Sequence, residues 1–200
     1  MLGLSANFNF TAIYDSAKTP ICFPKNSPNT IPKGTGFNKV ANVKPSSDTP
    51  ALAKAAETLL RPRGIAISIQ NGLGHSERLV GRLGRHRVLA GCTTHAAMRV
   101  GPGEVHWTGR GAFRLACLLE SELTAGDLRV MELLELLDDS NLNPEWEFDA
   151  DEMVWQKLLI NVAINPLAAI CGVRNGELLA RPDLYEQALS AMLEACQVAS

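Results

Sequence analysis

The sequence predicts an α/β region followed by an all-α region. Gly64–Gln70 (GIAISIQ) alternates with β-branched residues as a strand does, and a Gly-bearing loop and a short helical stretch follow it. More strand-like sequence extends from Val88 to Leu119. Beyond Leu123 apolar residues recur at helical spacing and helices dominate.

The elements follow in order. Residues 1–50 hold six of the eleven prolines and are rich in Asn, Thr, Ser and Lys. Phe8–Tyr14 and Pro20–Phe23 have strand character, but neither has a helix behind it, and the region reads as irregular. Ser47, Asp48 or Thr49 can cap a helix over Pro50–Leu60, with Pro50 suited to its first turn. After the Gly64–Gln70 strand and the Asn71-Gly72-Leu73-Gly74 loop, Ser76–Leu83 reads as a short helix. Val88–Val100 reads as one long strand or two, stopped by the turn at Gly101-Pro102-Gly103. Glu104–Trp107 and Ala112–Leu119 read as a pair of strands. Leu128, Met131, Leu134 and Leu137 place a helix over Leu123–Asp138. Trp146–Phe148 is a short extended piece. Asp149 or Asp151 caps the next helix, which runs to about Cys171, and a last helix starts near Pro182. This order suits a nucleotide-binding domain followed by a helical domain, with the boundary near residues 146–150.

Composition narrows the function. The 200 residues are 46% hydrophobic and 20% charged, with a formal net charge of -2, so no basic stripe for nucleic acid is expected. Cys22, Cys92, Cys117, Cys171 and Cys196 are odd in number and widely spaced without a CxxC. They read as reduced thiols, not as a disulfide framework or a metal site. No signal peptide is indicated, and no apolar run reaches the roughly 18 residues of a membrane helix. A cytoplasmic protein whose partner is a small molecule or another protein, with no membrane or nucleic-acid partner, is expected.

The stretch Trp155–Leu179 (WQKLLINVAINPLAAICGVRNGELL) carries the chemistry. Lys157, Asn161 and Asn165 stand at i, i+4 and i+8, along one stripe of a helix whose other residues are apolar on nearly every side. A helix that is apolar all round is expected to be buried, where an unpaired Lys or Asn is costly. One reading is that the stripe faces a cleft. The amides would then hold hydroxyl, keto or carboxylate oxygens, and the ammonium would protonate a carbonyl oxygen as it becomes an alkoxide. The other reading is that Lys157 reaches solvent and the amides bond across a helix interface. Spacing alone does not choose. Pro166 removes a helix hydrogen bond and is expected to bend the helix, and Asn175-Gly176 reads as a turn.

The run W-x-K-L-x-x-N-x-x-I-N-P-L-x-A-x-x-x-x-x-N-G-E-L resembles the signature of the ketopantoate reductase family, matched by Trp155, Lys157, Leu158, Asn161, Ile164, Asn165, Pro166, Leu167, Ala169, Asn175, Gly176, Glu177 and Leu178. Gln70-Asn71-Gly72-Leu73-Gly74 and Gly91–Arg99 (GCTTHAAMR) are similar to two further family motifs, the second being G-T-T-T-H-A-A-x-R. Val43-Lys44 followed by Asp48-Thr49 resembles V-K-x-x-D-T with one extra residue. The resemblance implies an NADPH-dependent 2-dehydropantoate 2-reductase of pantothenate and coenzyme A biosynthesis, with a 2-keto acid as substrate. It implies Lys157 as proton donor and Asn161, Asn165, Asn175 and Asn71 as substrate contacts. Asn71, Ala97 and Lys44 are the implied cofactor contacts. A homodimer through the helical domain is compatible with it. For His95 a structural hydrogen bond is expected rather than an acid–base role.

The resemblance covers roughly residues 40–200. It divides the chain into an irregular, unmatched segment (1–40), a partial Rossmann-like NADP-binding domain (41–148) and a partial helical substrate and dimerisation domain (149–200). It departs from the family in two places. The chain has no G-x-G-x-x-G, the turn whose backbone approaches a pyrophosphate; Gly34-Thr35-Gly36-Phe37-Asn38-Lys39 lacks the third glycine. The family's closing Ser and Glu would lie beyond Ser200. The expected fold is therefore an incomplete Rossmann-like domain plus a truncated helical domain. Alternative readings are a catalytically inactive remnant and a reductase of a related 2-keto acid.

Overall fold

The computed structural model describes residues 11–14, 53, 54, 56–58, 60–101 and 104–199. Lys44, Cys22, Pro20–Phe23, Gly34–Lys39, Val43, Asp48, Thr49 and the start of the helix expected at Pro50 lie outside them.

Among the described residues the main sheet has the order β1 (Thr11–Tyr14), β2 (Ile65–Ser68), β3 (Val88–Thr93), β6 (Phe113–Cys117) and β7 (Pro144–Glu147). Thr11–Tyr14 lies in the strand-like Phe8–Tyr14 segment of the region read as irregular, and pairs antiparallel with β2. β2 and β3 are parallel, β3 and β6 antiparallel, and β6 and β7 parallel. Val88–Val100 resolves into two strands, β3 and β4 (Ala96–Gly101), and β4 pairs with β5 (Glu104–Gly109) in a separate two-stranded hairpin. The expected pairing of β5 with β6 is therefore corrected. β5 lies back along β4, with Gly101 opposite Glu104, which leaves β6 to fill the place beside β3.

Two-residue alternation explains how the sheet is sandwiched. Ile65, Ile67, Ile69, Leu89, Phe113 and Leu115 face helix α3 (Leu128–Asp139) through Val130, Leu133 and Leu137. The opposite face carries smaller residues, among them Ala66, Ala90 and Ala116. These let Ala53 and Ala56 of helix α1 (described at 53, 54 and 56–58), and Leu79 and Leu83 of α2 (His75–Leu83), pack closely. Helix α3 starts five residues later than its apolar spacing suggests, because Asp127 caps it and residues 124–127 form a turn.

Helix α4 (Ala150–Cys171) is capped by Asp149, whose side chain accepts from the backbone N–H of Asp151 and Glu152. It runs through Pro166 as one continuous helix. It packs on β3 and β6, and on α5 (Asn175–Ala180) and α6 (Pro182–Ala199). Asn175-Gly176 is thus not a bare turn but the start of a short helix, fixed by the Arg174 backbone N–H donating to the Glu177 carboxylate.

Two expectations about α4 are corrected. Only Ala150, Met153, Ala163 and Ala168 are fully buried, while Ile160 and Ile170 are exposed, so an all-round apolar surface did not require burial here. By length and composition, 22 residues that include an 18-residue stretch of mean hydropathy 1.4, α4 is also long and apolar enough to cross a membrane. Gln156, Lys157, Asn161 and Asn165 interrupt the apolar run without lowering its mean below that level. The four described cysteines, Cys92, Cys117, Cys171 and Cys196, form no disulfide.

Candidate active site

A cavity of about 200 Å³ lies between the α4 stripe and the ends of β2 and β3. Its lining includes Asn71, Ala97, Lys157, Asn161, Asn165 and Asn175, every expected site residue except Lys44, which is not among the described residues.

Each side chain arrives from a different local cause. Asn71 follows β2 in a loop that needs left-handed backbone at Gly72 (φ 97°) and Gly74 (φ 79°), conformations that glycine adopts without strain. Ala97 is buried near the start of β4. Lys157, Asn161 and Asn165 come one turn apart along α4, and Asn175 opens α5. The expected stripe therefore faces a cleft, not a helix interface.

Hydrogen bonds cross the cleft. Lys157 Nζ donates to the Thr93 carbonyl at 2.9 Å. Asn161 Nδ2 donates to Asn71 Oδ1 at 3.2 Å. The amides of Asn165 and Asn175 make no hydrogen bond with another described residue and stay available to a ligand. Lys157 is the one formally charged side chain among the described lining residues, so the cavity presents a single positive charge to an anion. Cys92 also lines it, but burial pushes its thiol up, against the opposing charges of Arg114 and Lys157, and keeps it protonated. His75, buried directly after the Asn71 loop, is held below the ordinary histidine range by burial and by Arg78.

Sequence patterns did not mark the Thr93 carbonyl. A backbone oxygen carries no residue signature. The only pointer is the motif-like block Gly91–Arg99 that contains it.

Below the cavity, Arg114 on β6 joins the two regions of the fold. Its guanidinium bonds the Glu147 carboxylate on β7, and its Nη1 donates to Gln156 Oε1 on α4 at 3.1 Å.

With this geometry in place, comparison with known proteins decides the family. Residues 23–120 match the model for ketopantoate reductase PanE/ApbA, and residues 149–200 match that for ketopantoate reductase PanE/ApbA C terminal. The chain belongs to the ketopantoate reductase family. The match begins inside the 1–40 segment. The 2-dehydropantoate 2-reductase of Archaeoglobus fulgidus is 32% identical over 151 residues, which cover 76% of this chain and 49% of that protein. The chain thus spans about half the length of the curated relatives it matches. Among solved structures, the 2-dehydropantoate 2-reductase of Geobacter metallireducens GS-15 superposes with a TM-score of 0.59 at 29% identity, covering 66% of this chain and 43% of that one. A D-mandelate dehydrogenase in ternary complex with NADH and anilino(oxo)acetate superposes with a TM-score of 0.67 at 21% identity, covering 78% and 50%, and shares the fold. A Rossmann-like domain followed by a helical region is the architecture of this ketopantoate reductase family member.

Proposed function

We propose that this site reduces 2-dehydropantoate to pantoate with NADPH, the step that serves pantothenate and coenzyme A biosynthesis, in the cytoplasm. The observation that carries the proposal is the convergence of Lys157, Asn161, Asn165, Asn175, Asn71 and Ala97 on one cavity. The lining suits the nicotinamide end of the cofactor: an amide at Asn71 and a methyl group at Ala97, beside the Gly91–Thr94 segment. Lys44 is the third proposed cofactor contact. NADPH, when bound, supplies hydride to the 2-keto carbon.

The chain's own residues do the rest. The Lys157 ammonium draws the anionic keto acid into the cleft. Asn161, Asn165 and Asn175 hold its carboxylate and hydroxyl oxygens by hydrogen bonds of fixed direction. As charge grows on the keto oxygen, Lys157 Nζ passes it a proton and becomes a neutral amine. That amine keeps a hydrogen bond to the Thr93 carbonyl and regains a proton from solvent. We further propose that residues 41–148 act as the cofactor domain, and that residues 149–200 act as the substrate domain and mediate homodimer formation.

The test is NADPH oxidation by a form of the protein completed with the family's G-x-G-x-x-G turn, with 2-dehydropantoate, and with a 2-keto acid lacking the terminal hydroxyl as comparison. Lys157→Ala is expected to lower kcat by roughly a hundredfold to ten-thousandfold. Asn161→Ala and Asn165→Ala should chiefly raise KM, since amides hold ground and transition states alike. Near-normal kcat in Lys157→Ala places the proton donor elsewhere.

A further inference from the structure

His95 stands between β3 and β4 and lines the cavity. The Gly111 backbone N–H points at its Nδ1 from 3.0 Å. Its Nε2 lies 2.9 Å from the Leu142 carbonyl oxygen. An amide N–H can only donate and a carbonyl can only accept. Both contacts are satisfied by one state of the ring alone, the neutral tautomer with a bare Nδ1 and a proton on Nε2. An imidazolium would set two N–H groups against each other at Gly111.

The same residues are stitched together through their backbone. The His95 N–H donates to Thr93 Oγ1 at 3.1 Å, and Thr93 Oγ1 donates to the Ala112 carbonyl at 3.0 Å. The Ala112 N–H donates to Thr94 Oγ1 at 2.8 Å, and the Thr94 N–H donates back to the Ala112 carbonyl at 3.0 Å. The Trp107 ring closes over His95 edge-on, with centroids 5.0 Å apart, and the Arg110 guanidinium covers Trp107 in turn. The free end of this assembly is the Thr93 carbonyl, which accepts from Lys157 Nζ.

We propose that His95 is a positioning residue: as its neutral Nε2–H tautomer it clamps the 93–95 turn so that the Thr93 carbonyl holds the Lys157 ammonium in the cleft. This rests on the reading of Lys157 as proton donor and adds to it the element that aims the donor. A carbonyl suits the task, because it orients the ammonium without cancelling the positive charge that an anionic substrate meets.

Two measurements on the ligand-free full chain test it. Long-range 1H–15N correlation spectra of the chain with labelled histidine should show the His95 proton on Nε2 and a bare Nδ1 near neutral pH. The opposite tautomer, or a ring averaging between the two, overturns the proposal. The second is the rate at which a small amine-acylating reagent modifies Lys157, read by peptide mass spectrometry against the exposed Lys54. His95→Ala should raise that rate about tenfold, the factor that corresponds to losing about 1.4 kcal/mol of a hydrogen bond to a charged group. His95→Gln, whose amide offers one acceptor and one donor, should restore most of the protection. An unchanged rate in folded His95→Ala makes the residue merely structural and refutes the clamp. Should His95→Ala not fold, the tautomer and the Gln variant decide. Neither readout needs turnover, so loss of the proton-donor reading through Lys157→Ala kinetics leaves both intact.

Discussion

Gly111→Ala tests the contact between the 93–95 and 110–112 turns most directly. A Cβ built at Gly111 meets the Thr94 hydroxyl oxygen, and lies 2.5 Å from the Thr94 carbonyl carbon and 2.7 Å from its oxygen. Ordinary contact begins near 3.4 Å, so one backbone must withdraw by about an ångström. Two of the obstacles are main-chain atoms, which cannot rotate away as a side chain can. Overpacking of this kind costs about 1–3 kcal/mol. The shift also strains the paired hydrogen bonds between Thr94 and Ala112, each contributing about 1 kcal/mol. The expected loss is about 3–5 kcal/mol if both bonds are lost, a large fraction of the roughly 5–15 kcal/mol that holds a domain folded. Urea unfolding followed by circular dichroism measures it. Gly81→Ala is the control: Gly81 is exposed within α2, nothing lies within 4 Å of its added Cβ, and alanine there should gain about 0.5–1 kcal/mol. If Gly111→Ala matches the parent midpoint while Gly81→Ala rises as expected, the two turns do not meet as described.

Other outcomes follow from single contacts. Asp127 caps α3 and pairs with Arg129 at 2.7 Å, a contact that holds its carboxyl below the usual range; Asp127→Ala should lower stability by about 1 kcal/mol in the same urea assay. Because the His75 pKa is depressed in the fold, the unfolded chain binds a proton more readily. The stability His75 contributes is then complete above about pH 6.5 and is lost as pH falls below it. Urea midpoints from about pH 7.5 to about pH 5.5 should show that slope, and a His75→Phe variant with an identical slope would remove His75 as its source. Calorimetric titration should find NADPH binding to this chain weaker than micromolar, since its sequence carries no G-x-G-x-x-G to meet the pyrophosphate; a dissociation constant near micromolar, about -8 kcal/mol, contradicts that expectation.

What the sequence made legible was whatever rests on local periodicity. The Gly64–Gln70 segment holds the strand Ile65–Ser68 because alternating β-branched residues suit a sheet buried on both faces, and α4 starts where Asp149 offers an acceptor. The stripe of Lys157, Asn161 and Asn165 could be placed on one face by counting residues. Strand partnership could not. β5 and β6 are neighbours in sequence, yet each pairs elsewhere, because pairing is a long-range choice that no short window encodes. The α3 boundary was hidden for a related reason: Leu123 is buried and apolar like a helix residue, but lies in the loop ahead of the turn that precedes the helix. Within the site, the side chains were legible and the backbone was not. Asn161 could be singled out as a residue type, whereas the Thr93 carbonyl depends on contacts with residues nearly twenty positions away.

The Arg114 junction bears on how the site can move. It holds the first turns of α4 to the last strand of the sheet, so α4 is a rod pinned near one end. At about 1.5 Å of rise per residue, Lys157 sits about 1.5 Å along the rod from the pin at Gln156 and Asn165 about 13.5 Å. A tilt of about 10° about the pin would carry the lysine backbone only about 0.3 Å and the distal amide about 2 Å. The chemical group thus lies near the fulcrum, where its distance to the sheet changes least, while the outer amides sweep the wider arc. A rocking helix of this kind could widen the mouth of the cleft and leave the aim of the ammonium almost untouched.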